Sequence, residues 1–188
     1  MRMSKSPIHV WLITGKPGIG KTTCLSRTMY QIKSAGYTVG GVISRELRVH
    51  GERTGFELID LRTGESGILS STTLDAGPKI GKYRINLQFI SKAGSKALLS
   101  SNELSDLTVC DEIGPMEMFS PDFRRAVDYI INNGQPVLGV IHQRLNDPLI
   151  HKIRSSRFVQ IYEVTLQNRE KIPNILTKEI LKLLENKN

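Results

Sequence analysis

The chain has 188 residues, 39% of them hydrophobic and 23% charged, which is enough apolar material for one buried core and excludes a disordered polymer. No apolar run reaches the roughly 18 residues that cross a bilayer. The opening MRMSKSP lacks the apolar stretch of a secretion signal, so a cytoplasmic protein with no membrane contact is expected.

Two cysteines, Cys24 and Cys110, are too few for a disulfide framework or a zinc cluster and are expected in the core. The net charge of +8 suits an anionic partner, either nucleotide phosphate or nucleic acid. Its basic residues are scattered over the sequence and form no block, which favours a generally solvated basic surface over a nucleic-acid footprint.

In chain order, residues 8–14 (IHVWLIT) are almost continuously apolar, as in a strand buried on both faces. Residues 21–35 carry Leu25, Met29 and Ile32 at helical spacing and stop at Gly36. Residues 38–49 and 54–61 are rich in β-formers and flank His50-Gly51-Glu52-Arg53, which predicts an antiparallel hairpin. A turn over 61–67 leads to a short strand at 68–70. Residues 72–82, with Asp75-Ala76-Gly77-Pro78, read as loop, and 87–99 as a helix weakened by Gly94.

The apolar pattern then resumes as a strand over 107–110 that ends on Asp111-Glu112. Ser120-Pro121-Asp122 supplies an N-cap, a first-turn proline and an acid. They open a helix with Phe123, Val127, Ile130 and Ile131 on one side, closed by Asn133-Gly134. A strand at 137–141, a short helix at 147–155, a strand at 158–164 and an amphipathic helix at 173–186 complete the chain. The alternation predicts an α/β fold: a mostly parallel central sheet flanked by helices, with the antiparallel hairpin after the first helix, as one domain over 1–188.

Gly15-Lys16-Pro17-Gly18-Ile19-Gly20-Lys21-Thr22 fits GxxxxGK[ST] at every fixed position, between an apolar strand and an amphipathic helix. The glycines let backbone N–H groups close on phosphate oxygens, and the helix start adds its positive dipole end. Lys21 is placed to reach the terminal phosphates and the Thr22 hydroxyl to ligate Mg²⁺, with Thr23 next in the loop. The second half of such a site is a strand that ends in acids. Asp111 would orient the Mg²⁺, and Glu112, expected to point to the other side of the chain, would polarise a water aimed at the γ-phosphorus.

Two further strand ends should face the same crevice. His142 or Arg144 is a candidate to sense the γ-phosphate, with a structural histidine as the alternative. The stretch TLQNR, with Asn168 and Arg169, could lie beside the base, with helix capping by Thr165 as the alternative.

With these motifs placed, the sequence resembles the nucleoside-triphosphatase family that includes the thermophile and the cancer-related nucleoside triphosphatases. The resemblance runs through ITGKPGIGKTT, GGVISRELRVHGERTGFELIDL, GKYRINL, VCDEIGPMEMFS, VIHQR with DPLIHKIR, and YEVTLQNREKIP. It implies a RecA-like P-loop NTPase fold with an extra strand between the two motif strands. It also implies slow Mg²⁺-dependent hydrolysis of ATP, GTP, CTP and UTP with broad base tolerance, by a chain taken as a monomer. Many relatives carry lysine after DEIG where this chain has Pro115, and leucine where it has Met118; the hairpin also departs from the family pattern over Val42 to Glu46. A different base must then serve near the phosphates, with Arg45, Arg48 and Arg53 as candidates. Two other functions compete: a kinase that passes the γ-phosphate to a nucleotide or other small molecule, and a nucleotide-gated RNA- or DNA-binding module.

Overall fold

The computed structural model describes residues 8–187. Its centre is a parallel array of five strands whose middle members are strongly apolar. The five are β1 (Val10–Thr14), β2 (Val39–Val49), β7 (Leu107–Ile113), β8 (Val137–Ile141) and β9 (Val159–Glu163), in the order β2-β7-β8-β1-β9. The antiparallel strands β3 (Glu52–Asp60), β4 (Ser66–Ser71), β6 (Tyr83–Ile85) and β5 (Lys79–Ile80) extend the same sheet beyond β2, so that nine strands share it. Strand β8 lies between β1 and β7, the two strands that end in the motifs. This is the inserted strand that the RecA-like resemblance implied.

Alternation along β1 divides the core between the two faces. Val10 and Leu12 pack with Phe123, Val127 and Ile130, while Trp11 and Ile13 pack with Leu25, Ile32 and Leu176. Helices α1 (Lys21–Ser34) and α6 (Ile172–Glu185) therefore cover one face, and α3 (Ser95–Leu104), α4 (Pro121–Asn132) and α5 (Pro148–Ser155) cover the other. Ser120 caps α4 by accepting the Phe123 N–H, with Pro121 in the first turn. Both cysteines are buried and free, as small core residues.

Three segments depart from the predicted elements. Residues 72–82 are not all loop, because Lys79–Ile80 pairs with Tyr83–Ile85 across a tight turn, and β6 in turn pairs with β4. The helix expected over 87–99 runs as α2 (Leu87–Phe89), a π-helical turn at Ile90–Gly94, and α3. Gly94 is there for packing: a Cβ would lie 2.9 Å from Leu58 Cδ2 and 3.4 Å from the Phe123 ring. Finally, the β2–β3 connection is only His50-Gly51, both at positive φ (49° and 83°), the two-residue turn that matches strand twist.

Strand β2 is long enough to do two jobs. Its first half pairs parallel with β7 up to Ile43 opposite Asp111, and its second half continues beyond the end of β7 as one arm of the hairpin. The hairpin thus overhangs the edge at which β1, β7 and β8 all end.

Candidate functional site

The glycine-rich loop leaves β1 at Gly15, whose φ is 142° and whose Cβ, if present, would lie 2.8 Å from the Val164 carbonyl oxygen. No side chain fits there, and the loop stays tight against the end of β9. Gly20 caps α1 in the left-handed region with no side-chain cap, and the first bond closing the helix is Cys24 N–H to the Gly20 carbonyl at 2.9 Å. The amides of Lys21, Thr22 and Thr23 therefore open the helix ahead of that first bond, at the positive end of its dipole. Lys16, Pro17 and Gly18 are exposed, and Ile19 is half-buried against the core under α1. Lys21 Nζ donates to the carbonyls of Gly15 and Lys16, both at 3.1 Å, and so curls across the cradle its own loop forms.

The acidic strand end faces this cradle. Asp111 is 3% exposed, and the Thr22 hydroxyl hydrogen-bonds its carboxylate. Among the described residues, its Oδ2 is buried without a hydrogen-bond partner. Burial first, then the nearby Glu112 charge, pushes the Asp111 carboxyl up to about 6 against the pull of Thr22 and Lys21. An orphaned carboxylate oxygen beside a threonine hydroxyl and a phosphate cradle fits a divalent cation, which would satisfy the atom and reverse the penalty. Among the described residues no group of three or more His, Cys, Asp or Glu side chains could hold a metal. A cation here would complete its shell with phosphate and water oxygens, as Mg²⁺ does.

Strict alternation would send Glu112 to the opposite face from Asp111. Both nevertheless line one cleft, because the β7–β8 register shifts between Cys110 and Ile113. Glu112 is half-buried, and burial raises its carboxyl above the usual range while Lys21 opposes the shift. Gly114 shapes its position, since a Cβ there would lie 2.9 Å from Glu112 Cγ. The cleft encloses about 580 Å³ and also takes in Arg45, Phe56 and Met116 from beneath the hairpin.

The sequence reading missed Glu117. It sits in a 3₁₀ turn (Glu117–Phe119), is 4% exposed, lines the same cleft, and accepts the backbone N–H groups of Glu117 itself and Gly114. Burial, reinforced by the neighbouring Glu112 and Asp111 charges, pushes it up to about 8. Its only sequence signal is an acid enclosed between Met116 and Met118.

His142 follows β8 and lines both this cleft and the adjoining pocket of about 480 Å³ formed with Gly15, Lys16, Pro17 and Arg144. Its Nδ1 accepts the Arg144 N–H at 3.3 Å, which in the neutral ring leaves the proton on Nε2. Burial, followed by the charges of Lys21 and Arg154, lowers its pKa and favours that neutral form. Asn168 is occupied with its own turn: Oδ1 accepts the Thr165 N–H at 2.7 Å and Nδ2 donates to the Glu163 carbonyl at 2.9 Å. Arg169 lies beside the loop, its Cδ 4.0 Å from where a Gly20 Cβ would be.

A strand–loop–helix phosphate cradle, faced by a buried aspartate with one orphaned carboxylate oxygen near the end of a parallel strand, defines a P-loop enzyme of the class that acts on acid anhydrides. The family model for NTPase matches residues 10–177. The chain belongs to that family. It is 41% identical to the nucleoside-triphosphatase THEP1 of Thermofilum pendens over 93% of this chain and 96% of that protein. The Methanosarcina acetivorans protein of the same name is 37% identical over 92% and 97%. The crystal structure of THEP1 from Aquifex aeolicus superposes with a TM-score of 0.78 at 31% identity, covering 94% of this chain and 99% of that one. The solution structure of a human cancer-related nucleoside triphosphatase gives 0.74 at 33% identity, over 90% and 96%.

Proposed function

We propose that the chain, as one domain, is a Mg²⁺-dependent nucleoside triphosphatase that cleaves ATP, GTP, CTP and UTP to the diphosphate and phosphate. One observation carries this reading: the orphaned Asp111 Oδ2 and the Glu112 carboxyl share a cleft with Lys21 and Thr22. A binding protein needs the loop, Lys21, Thr22 and Asp111. The Glu112 carboxyl supports a hydrolase, as the base for an attacking water.

The loop amides and Lys21 hold the β- and γ-phosphates, and Lys21 exchanges its two carbonyl partners for phosphate oxygens. Thr22 and Asp111 would hold Mg²⁺, which when bound supplies charge neutralisation across the terminal phosphates. Glu112 takes a proton from a water in the cleft as the water oxygen attacks the γ-phosphorus. The bond from that phosphorus to the β–γ bridging oxygen breaks, and the diphosphate leaves. Its raised basicity suits Glu112 to this proton. His142 Nε2–H is a neutral donor to a γ-phosphate oxygen, and Arg144 flanks the same phosphates.

Broad base tolerance follows from where the polar groups are. They face the phosphates, while the Asn168 amide is committed to its own turn and leaves Arg169 as the flanking group for the base. All of these residues come from one copy, so a monomer suffices.

The test is phosphate release from ATP, GTP, CTP and UTP with and without Mg²⁺. Comparable turnover of all four that disappears with EDTA is expected. Turnover of a single nucleotide would overturn the base tolerance, and release unaffected by EDTA the metal requirement.

A further inference from the structure

Hydrolysis of the terminal anhydride loads negative charge onto the γ-phosphoryl oxygens and the departing bridge, and a cation that meets this charge only in the transition state raises turnover strongly. The catalytic cleft is poor in such cations. Its lining carries the carboxyls of Asp111, Glu112 and Glu117, with Lys21 and Arg45 as the Lys and Arg side chains beside them; a fourth carboxyl there, Glu46, is paired with Arg48 and Arg53.

The three hairpin arginines are not equivalent. Arg48 is fixed by Glu46, with Nη2 at 2.6 Å and Nε at 3.0 Å from Oε2, and by the Gly51 carbonyl at 2.8 Å. Arg53 donates to Glu46 Oε1 and to the Tyr83 hydroxyl, both at 2.9 Å, and lies over the Phe56 ring. Both are structural parts of the hairpin. Among the described residues, Arg45 has a single partner, its cross-strand neighbour Glu57, reached by Nε at 2.6 Å and Nη2 at 2.5 Å.

Register places Arg45 well. Ile43 is opposite Asp111 in the β2–β7 pairing, and its side chain packs into the core beneath α1. Arg45 is two residues further on, hence on the same face of the strand as Ile43 and beyond the strand end that carries Asp111. The side chain is 69% exposed and free to swing, whereas Glu57 is only 12% exposed.

We propose that Arg45 is the transition-state cation of this enzyme, an arginine finger supplied by the chain's own hairpin, and that Glu57 holds it in a resting position. The proposal rests on the hydrolase reading above. Glu57 and the γ-phosphoryl group compete for one guanidinium. Each productive encounter requires Arg45 to release the carboxylate, so the resting pair slows turnover.

Single-turnover and steady-state phosphate release test this on four proteins: wild type, Arg45→Ala, Arg45→Lys and Glu57→Gln. Binding of a fluorescent diphosphate analogue is measured in parallel. Arg45→Ala should lose at least roughly 10²-fold in kcat with diphosphate affinity unchanged, and should no longer bind MgADP–aluminium fluoride tightly. Arg45→Lys should recover part of the rate, because the charge remains without the fork. Glu57→Gln should raise kcat several-fold, and adding Arg45→Ala to it should cancel the gain.

A kcat for Arg45→Ala within twofold of wild type would overturn the proposal. So would equal losses in kcat and diphosphate binding, or an Arg144→Ala variant carrying the kcat loss instead. An inactive wild-type protein would overturn the hydrolase reading itself, which keeps the two failures apart.

Discussion

At the scale of single residues, the groups that bind nucleotide are distinct from the groups that react. Lys21→Ala removes the charge the loop folds around, and nucleotide binding measured by equilibrium titration should fall beyond detection. Gly114→Ala should leave binding intact. Its new Cβ, 2.9 Å from Glu112 Cγ, pushes the carboxyl off its line, and kcat should fall by roughly 10²-fold, as it does for a misplacement of about 1 Å. The difference is read as a kcat loss at constant KM. GxxxxGK[ST] and Asp111-Glu112 were legible in the sequence because each position has a steric or charge requirement that few residues meet. Glu117 was not, because a carboxyl reveals its role through burial, and burial depends on the 3₁₀ turn that folds it under the cleft.

Among the elements, the motif strands were the most legible. β1, β8 and the first half of β7 are short, nearly continuous apolar runs, and only a strand buried on both faces uses such a run economically. β5 and β6 were hidden because strands of two and three residues carry no periodicity, and the surrounding Gly77, Pro78 and Gly81 signal turn. The π-helical turn was likewise invisible, since its glycine is required by Leu58 and Phe123, which are distant in sequence.

One element depends on a polar anchor. Glu179 of α6 accepts the Trp11 indole N–H at 2.8 Å and the Tyr162 hydroxyl at 2.7 Å, which docks the last helix on β1 and β9. Glu179→Ala strands both donors. Chemical denaturation should show a loss of about 1–3 kcal/mol, while nucleotide affinity stays unchanged.

For the whole molecule, the site is built at a cost in stability that depends on pH. Glu117 has its folded-state pKa raised to about 8 and Asp111 to about 6. Each binds a proton in the folded state that the unfolded chain has already released, so the stability each contributes is complete below its unfolded pKa and is lost as pH rises through the folded one. His142 works in the opposite sense: its depressed pKa gives stability that is present above its unfolded value and lost on acidification. Between the Asp111 value of about 6 and the Glu117 value of about 8 the Glu117 effect dominates. Without ligand, stability and with it the melting temperature should fall over that range, by up to about 1.4 kcal/mol per pH unit, and level off above the Glu117 value, and Glu117→Gln should flatten the profile. A divalent cation on Asp111 would offset part of this crowding of carboxyls, so added Mg²⁺ should stabilise most at high pH.

The central claim is that binding and water activation reside in different halves of one cleft. The most direct test compares wild type with Glu112→Gln, measuring nucleotide affinity and phosphate release on the same preparations. Affinity should stay unchanged while turnover falls roughly 10²- to 10⁴-fold, the range of a positioned general base. Undiminished phosphate release by Glu112→Gln would contradict the claim.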